Sequence, residues 1–230
     1  MHHIERKREV KKVLNIITRQ QFVLVVIGFI AVSVYTIIHW NNTDTISKLG
    51  CFMFLGLCLH QCEEYCFPGG FLWGLNLTMG THDPARYPGD RLSAGICDVI
   101  ATITGCCLTL FYLTPLVVGC YSVFVLIEVI VHTIMGFKMK RYFSGKGKST
   151  LYVPGCATSW LIFAPLGISS IWLLISKNYI TWLNLFLSAG LTIAFLLMIV
   201  VVPVIALRDK KSDYPYPESM QKRYYKKIYD

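Results

Sequence analysis

Two groups of ionisable side chains lie inside apolar stretches of the sequence, with residue types and spacing that suit a metal site. The first group is His60-Gln61-Cys62-Glu63-Glu64, and the second is Glu128-x-x-x-His132. An ionisable group at the bilayer centre costs about 2.5–3.5 kcal/mol on insertion scales, so it normally needs a partner. Two imidazoles with several carboxylates offer nitrogen and oxygen ligands, which suit zinc, iron or manganese better than copper(I).

Helix geometry predicts that the two groups face each other at one depth. At about 100° per residue, His60, Glu63 and Glu64 share one side of a helix, and Glu128 and His132 are one turn apart. With a rise of about 1.5 Å per residue, both groups lie at matching distances from the starts of their helices.

Asp98 is expected at a similar depth on a third helix, where a narrow polar stripe continues through Thr102, Gly105 and Thr109. Its place in the site depends on this geometry alone. We therefore predict one or two divalent ions, Zn or Fe with Mn as a further option. The predicted metal ligands are His60, Glu64, Glu128 and His132, and the predicted catalytic groups, as general base or bridging ligand, are Glu63 and Asp98.

The elements that must position these residues are membrane-spanning helices. Of the 230 residues 54% are hydrophobic and only 15% are charged, against about 25% in soluble domains. Apolar stretches of about 20 residues are long enough to span a bilayer as helices and too continuous for barrel strands. The predicted fold is an all-α polytopic bundle of six transmembrane helices, over residues 22–40, 48–66, 92–112, 115–137, 155–176 and 182–206.

The placement of charged residues predicts the orientation of the bundle in the membrane and the character of its two terminal segments. With both termini in the cytoplasm, all of the 22 Lys and Arg residues except Lys48 and Lys177 lie on the inner side. The net charge of +9 is then a cytoplasmic bias that favours anionic lipid and requires no nucleic-acid partner. We predict a basic amphipathic segment over 1–21, a transmembrane domain over 22–206 and a basic, Tyr-rich cytoplasmic tail over 207–230. The expected location is the plasma membrane.

The longest connection, over residues 67–90, contains aromatic residues next to glycines and prolines. Such a segment suits a short piece that covers the inner end of the bundle. The sequence leaves open whether it is a lid over the site or an interfacial anchor through Trp73.

The motifs resemble those of the HXXEE-domain family of bacterial integral membrane proteins. The similarity includes His60-x-x-Glu63-Glu64, then Pro68-Gly69, and later Glu128-x-x-x-His132 and Tyr152-x-Pro154-Gly155. It extends over about residues 48–206. The resemblance implies a membrane protein with a metal or catalytic site and implies no particular activity.

The predicted function is a metal-dependent membrane enzyme, hydrolase-like or a di-metal oxidoreductase, that acts on a lipidic or apolar substrate. Metal-activated water makes hydrolysis the simplest chemistry. Two alternatives remain open: a transporter or channel for a metal ion or proton, and a structural or regulatory membrane protein. Ordinary Glu–His pairs that hold the helices together would fit the last of these.

Overall fold

The computed structural model describes residues 2–218, without the side chains of residues 2–11, 15, 17, 19 and 20. Within this range the protein is helical and contains no strand, and six helices are long and apolar enough to cross a membrane. The prediction of an all-α fold with six spans is therefore confirmed. The helices are α1 (His2–His39), α2 (Thr45–Tyr65), α3 (Phe71–Thr78), α4 (Arg91–Phe111), α5 (Pro115–Tyr142), α6 (Cys156–Ser176) and α7 (Trp182–Leu207).

The predicted terminal segments are only partly described. The backbone of α1 joins the basic segment 1–21 to the first span in one continuous helix. Most side chains of that segment, and the part of the predicted tail after residue 218, lie outside the described residues. The division into segments and the cytoplasmic location of the termini stay predictions.

Local sequence signals determine where the spans begin. Asp44 accepts hydrogen bonds from the free backbone N–H groups at the start of α2. Asp90 and Ser93 form a reciprocal capping box at the start of α4, and Thr114 caps α5 immediately before Pro115. These side chains satisfy N–H groups that have no partner within the helix.

Helix α2 is the central helix of the bundle. It contacts α1, α4, α5 and α6, and half of its most apolar window is buried, more than in any other described span. Its polar residues His60, Gln61, Glu63 and Glu64 are therefore enclosed by protein and do not face lipid. Enclosure of this kind is what makes intramembrane ionisable groups tolerable.

Helix α7 changes neighbours along its length. Its first part, Trp182–Leu196, packs on α5, whereas Leu197–Val201 and Val202–Leu207 pack on α4. The change occurs at a π-helical turn over Leu197–Val201. A π-turn inserts an extra residue into the helical ladder and commonly redirects a helix.

The connection 67–90 folds back onto the end of the bundle. Helix α3 packs against the end of α5, and Trp73 is buried there with Met135 and Met139. Because Trp73 is only 5% exposed, it does not anchor the connection at a membrane interface. The side chain of Asn76 donates to the carbonyl oxygens of Pro84 and Gly89, which holds the rest of the loop against α3.

Residues 212–216 return to this connection and cover it. Tyr216 is buried against Leu72 and Ala94 and donates its hydroxyl hydrogen to the Asp90 carbonyl oxygen at 3.0 Å. Burial, together with the nearby charge of Asp98, raises the pKa of the Tyr216 phenol well above its usual value. The phenol therefore stays neutral and keeps its hydrogen bond at physiological pH.

Candidate metal centre

The structure brings the four predicted metal ligands together. Four ligand atoms, one from each predicted residue, lie within 4.8 Å of one another; they belong to His60, Glu64, Glu128 and His132. The Nε2 atom of His60 is 3.4 Å from Glu64 Oε1 and 3.9 Å from Glu128 Oε2. The Nε2 atom of His132 is 3.0 Å from Glu64 Oε1 and 3.6 Å from Glu128 Oε2. The two groups seen in the sequence thus form one cluster.

Two packed helices provide the whole cluster. His60 and Glu64 are one turn apart on α2, and Glu128 and His132 are one turn apart on α5, which contacts α2 directly. An i, i+4 pair projects from one side of a helix, so two facing pairs converge on one point. Bundle proteins commonly build metal sites from facing helices in this way.

The imidazole-to-carboxylate distances suit one tetrahedral ion, and all four donor atoms lie within 4.8 Å of one another. Four donors at about 2.0–2.1 Å from an ion at tetrahedral corners lie about 3.3–3.4 Å from each other. The four imidazole-to-carboxylate distances, from 3.0 to 3.9 Å, bracket this value. With neutral imidazoles the two carboxylates carry a charge of about −2, which a divalent cation neutralises. The residues present therefore fit a divalent metal.

The environment of His60 leaves its Nε2 atom free for a ligand. The Thr158 hydroxyl lies 2.7 Å from Glu63 Oε2, and because a carboxylate has no proton to give, the hydroxyl donates. It then accepts from His60 Nδ1–H at 2.8 Å. The neutral imidazole therefore directs the lone pair of Nε2 into the cluster, where this buried atom has no hydrogen-bond partner among the described residues.

His132 is held by packing. Its side chain is fully buried, and neither ring nitrogen has a hydrogen-bond partner in the described part of the chain, although Glu64 Oε1 lies 3.0 Å from Nε2. Phe71 packs on the ring at 4.5 Å between centroids with the two planes tilted by 37°, and His60 meets it edge-on at 4.7 Å. The backbone of Gly155 lies so close that an added Cβ would collide with the imidazole.

Glu63 lies on another side of α2 and does not join the cluster. Its carboxylate accepts hydrogen bonds from Tyr152 Oη, the backbone N–H groups of Ala157 and Thr158, and the Thr158 hydroxyl, at 2.7–3.1 Å. Nearby, the ammonium of Lys148 donates to the Tyr152 carbonyl oxygen, and burial lowers the pKa of that ammonium. Glu63 thus fixes the start of α6, including the hydroxyl that orients His60.

Asp98 is buried on α4 in a small polar network. Its oxygens accept from Gln21 at 3.0 Å and from Gln61 at 3.4 Å, and Thr102 donates to the Gln61 amide oxygen at 3.1 Å. The predicted stripe of Asp98, Thr102, Gly105 and Thr109 is buried along its length. Asp98 is not one of the four clustered ligands, but it shares a cavity with them.

A cavity of about 370 Å³ connects Asp98 to the cluster. Its polar end contains His60, Gln61, Glu64, Asp98 and Glu128, and most of its other lining side chains are apolar. These come mainly from α3, α4, α5 and α7, including Leu72, Leu75, Ala94, Ala101, Phe124, Ile127, Val131, Ile193, Leu196, Leu197, Val200, Val201 and Val204. Its size is in the range of about 300–1,000 Å³ typical of small-molecule sites.

Sequence reasoning missed Thr158, Gln61 and Phe163. Phe163 packs on the His60 ring at 4.8 Å and belongs to the π-helical turn Ser159–Phe163 in α6. No local signal distinguishes Thr158 from the other hydroxyl residues of the chain, since its role depends on contacts nearly 100 positions away. Gln61 was within the first motif, where its polarity inside an apolar span was the available signal.

One family description matches the chain. The family model described as "Protein of unknown function with HXXEE motif" matches residues 51–170. This range contains all four clustered ligands together with Glu63, Asp98 and Thr158. No curated protein and no solved structure matches the chain.

Proposed function

The chain belongs to the family of proteins of unknown function with an HXXEE motif, and we propose that it is a metal-dependent membrane enzyme. In this proposal His60, Glu64, Glu128 and His132 hold one divalent cation. The single observation that carries it is the convergence of two buried imidazoles, with ring nitrogens left without hydrogen bonds, on two carboxylate oxygens. Buried polar atoms without a partner are rare and call for a ligand.

A zinc ion suits the proposal best. Two His with carboxylate oxygens are common zinc ligands, and iron or manganese would also accept this donor set. A second ion, as a di-metal oxidoreductase requires, would need further carboxylates at the cluster, but the Glu63 carboxylate is already used by four donors of residues 152–158. The proposal is therefore a mononuclear site with hydrolytic chemistry.

The proposed roles differ between the two residues predicted as catalytic. A divalent cation supplies Lewis-acid polarisation of a substrate oxygen and activates water near neutral pH. Asp98, at the polar end of the same cavity, accepts or donates a proton through its carboxyl group, which Gln61 and Gln21 hold in place. Glu63 acts as a positioning residue through Thr158 and His60.

The alternative of a transporter or channel receives less support from the core. Transport needs polar groups along a path to the opposite end of the bundle. In that direction the almost fully buried Ile46, Met53 and Leu174 fill much of the core. The buried hydroxyl groups there are already bonded, Thr109 to Tyr121 and Ser122 to the Val118 carbonyl oxygen. A largely apolar core with its hydroxyl groups already paired favours an enzyme over a transport path.

Elemental analysis of the purified protein tests the metal site. We expect stoichiometric zinc, or another divalent metal, in the wild type and its loss in His60→Ala and Glu128→Ala. His82→Ala is the matched control, because this imidazole is exposed and outside the cluster. Metal-free wild type after purification without chelators would overturn the proposal. Iron instead of zinc would support redox chemistry, and full function of Glu64→Gln would support a structural or regulatory role.

Thr158→Val should weaken metal binding about 10–100-fold, the usual cost of removing a residue that orients a metal-bound histidine. Valine has nearly the same shape but cannot accept from His60 Nδ1–H, so the imidazole loses its fixed tautomer. Thr158→Ser keeps the hydroxyl and should keep most of the affinity. Competition with a chromogenic chelator measures both values. Equal affinities in Thr158→Val and the wild type would contradict the positioning role.

A further inference from the structure

The change of neighbours along α7 leaves a gap between α7 and α5. Thr192 donates to the Cys120 carbonyl oxygen at 3.1 Å, and the Ser188 hydroxyl lies 3.3 Å from the Leu116 carbonyl oxygen, so the first part of α7 is held against the start of α5. After the π-helical turn Leu197–Val201, α7 packs on α4 instead. Further along α5, toward its C-terminal end, the helix therefore separates from α7. The cavity occupies the space between them.

This gap opens at the outer surface of the bundle. Val131, Ile193, Leu197, Val200 and Val201 line the cavity, yet each is at least 36% exposed. All five belong to membrane-spanning helices. A mouth at this position meets the hydrocarbon of the bilayer, where a polar solute has no route of entry.

The far end of the cavity is polar. Glu64, Glu128 and Asp98 lie there, and the Glu128 side chain is 17% exposed, the most accessible of the four clustered ligands. An occupant must therefore be apolar at the mouth and polar at the inner end. The volume of about 370 Å³ suits one hydrocarbon chain and excludes a whole two-chain lipid.

Building on the proposed function, on which this step rests for the chemistry at the polar end, we infer that the substrate is a membrane lipid. One acyl chain of the lipid enters sideways between α5 and α7. Its polar linkage then lies between the His/Glu cluster and Asp98, and the remaining part of the lipid stays in the bilayer.

Photo-crosslinking in vesicles tests this entry route. The probe is a phosphatidylethanolamine with a diazirine in one acyl chain, and attachment sites are mapped by peptide mass spectrometry. We expect labels on the cavity-lining residues of α4, Cys97 and Ala101, in addition to the lipid-exposed Ile100 and Ile103 of the same helix.

Two neighbouring tryptophan substitutions provide the matched comparison. Leu197→Trp fills the mouth and should reduce labelling of Cys97 and Ala101 about tenfold, equivalent to about 1.4 kcal/mol. Met198 is exposed but does not line the cavity, so Met198→Trp should leave this labelling unchanged. Labelling of Ile100 and Ile103 should be the same in both variants, which shows that both are folded.

The outcomes separate the two proposals. Metal content is measured on the same samples. Cavity labelling that is absent, or that Leu197→Trp does not reduce, overturns lateral entry even when the metal is present. Cavity labelling without any metal in the wild type keeps the lipid site and overturns the metal-dependent enzyme.

Discussion

Gly155→Ala should destabilise the protein and disrupt the metal centre together. Gly155 has φ +89°, where a side chain costs about 1–3 kcal/mol. The added methyl group would also collide with the His132 ring, and overpacking of a core adds about 1–3 kcal/mol. Because Phe71 and His60 enclose that ring, it cannot move away without leaving the cluster. We expect a lower midpoint of thermal unfolding in detergent and a loss of bound metal.

Gly147→Ala is the control that separates these two effects. Gly147 has φ +82°, almost the same backbone conformation, but an added Cβ at this position meets nothing within 4 Å. The Gly147→Ala protein should show only the loss of stability that a side chain causes at positive φ, and it should retain its metal. If Gly155→Ala binds metal as tightly as Gly147→Ala does, the close contact with His132 has no part in positioning the ligand.

Glu63→Ala should be the most destabilising of the carboxylate substitutions. It removes the carboxylate that accepts from the Tyr152 hydroxyl, the Thr158 hydroxyl and the backbone N–H groups of Ala157 and Thr158. An unsatisfied buried polar group costs about 1–3 kcal/mol, and removing one partner of a buried charged network about 3–5 kcal/mol. Since the Thr158 hydroxyl then lacks its orientation, we also expect weaker metal binding. Unfolding in detergent and chelator competition measure the two effects.

Two comparisons establish the cause of the Glu63→Ala effect. Glu63→Gln keeps the shape and an acceptor oxygen, and should be intermediate. Asp83→Ala removes a half-exposed carboxylate that pairs with Arg86, so it should cost at most about 1 kcal/mol. A Glu63→Ala protein as stable as Asp83→Ala would contradict the role of Glu63 in fixing the start of α6.

Much of the scaffold follows from the sequence alone. Continuous apolar stretches near 20 residues require helices in a bilayer, because every backbone group must find its partner within the segment. The i, i+4 spacing of His60 with Glu64, and of Glu128 with His132, places each pair on one helix face without reference to any other part of the chain. These features gave the six confirmed spans and the four residues that converge.

Only the tertiary structure decided which of two adjacent carboxylates faces the cluster. Glu63 and Glu64 differ by about 100° around α2, and the sequence contains no information on which neighbour lies on each side. The packing of α5 on one side of α2 and of residues 152–158 on the other places Glu64 in the His/Glu cluster and Glu63 against Thr158. The same applies to the cavity mouth, which depends on the π-helical turn of α7 and its change of neighbours. Local spacing determines which residues share a helix face, but contacts between distant segments determine what that face meets.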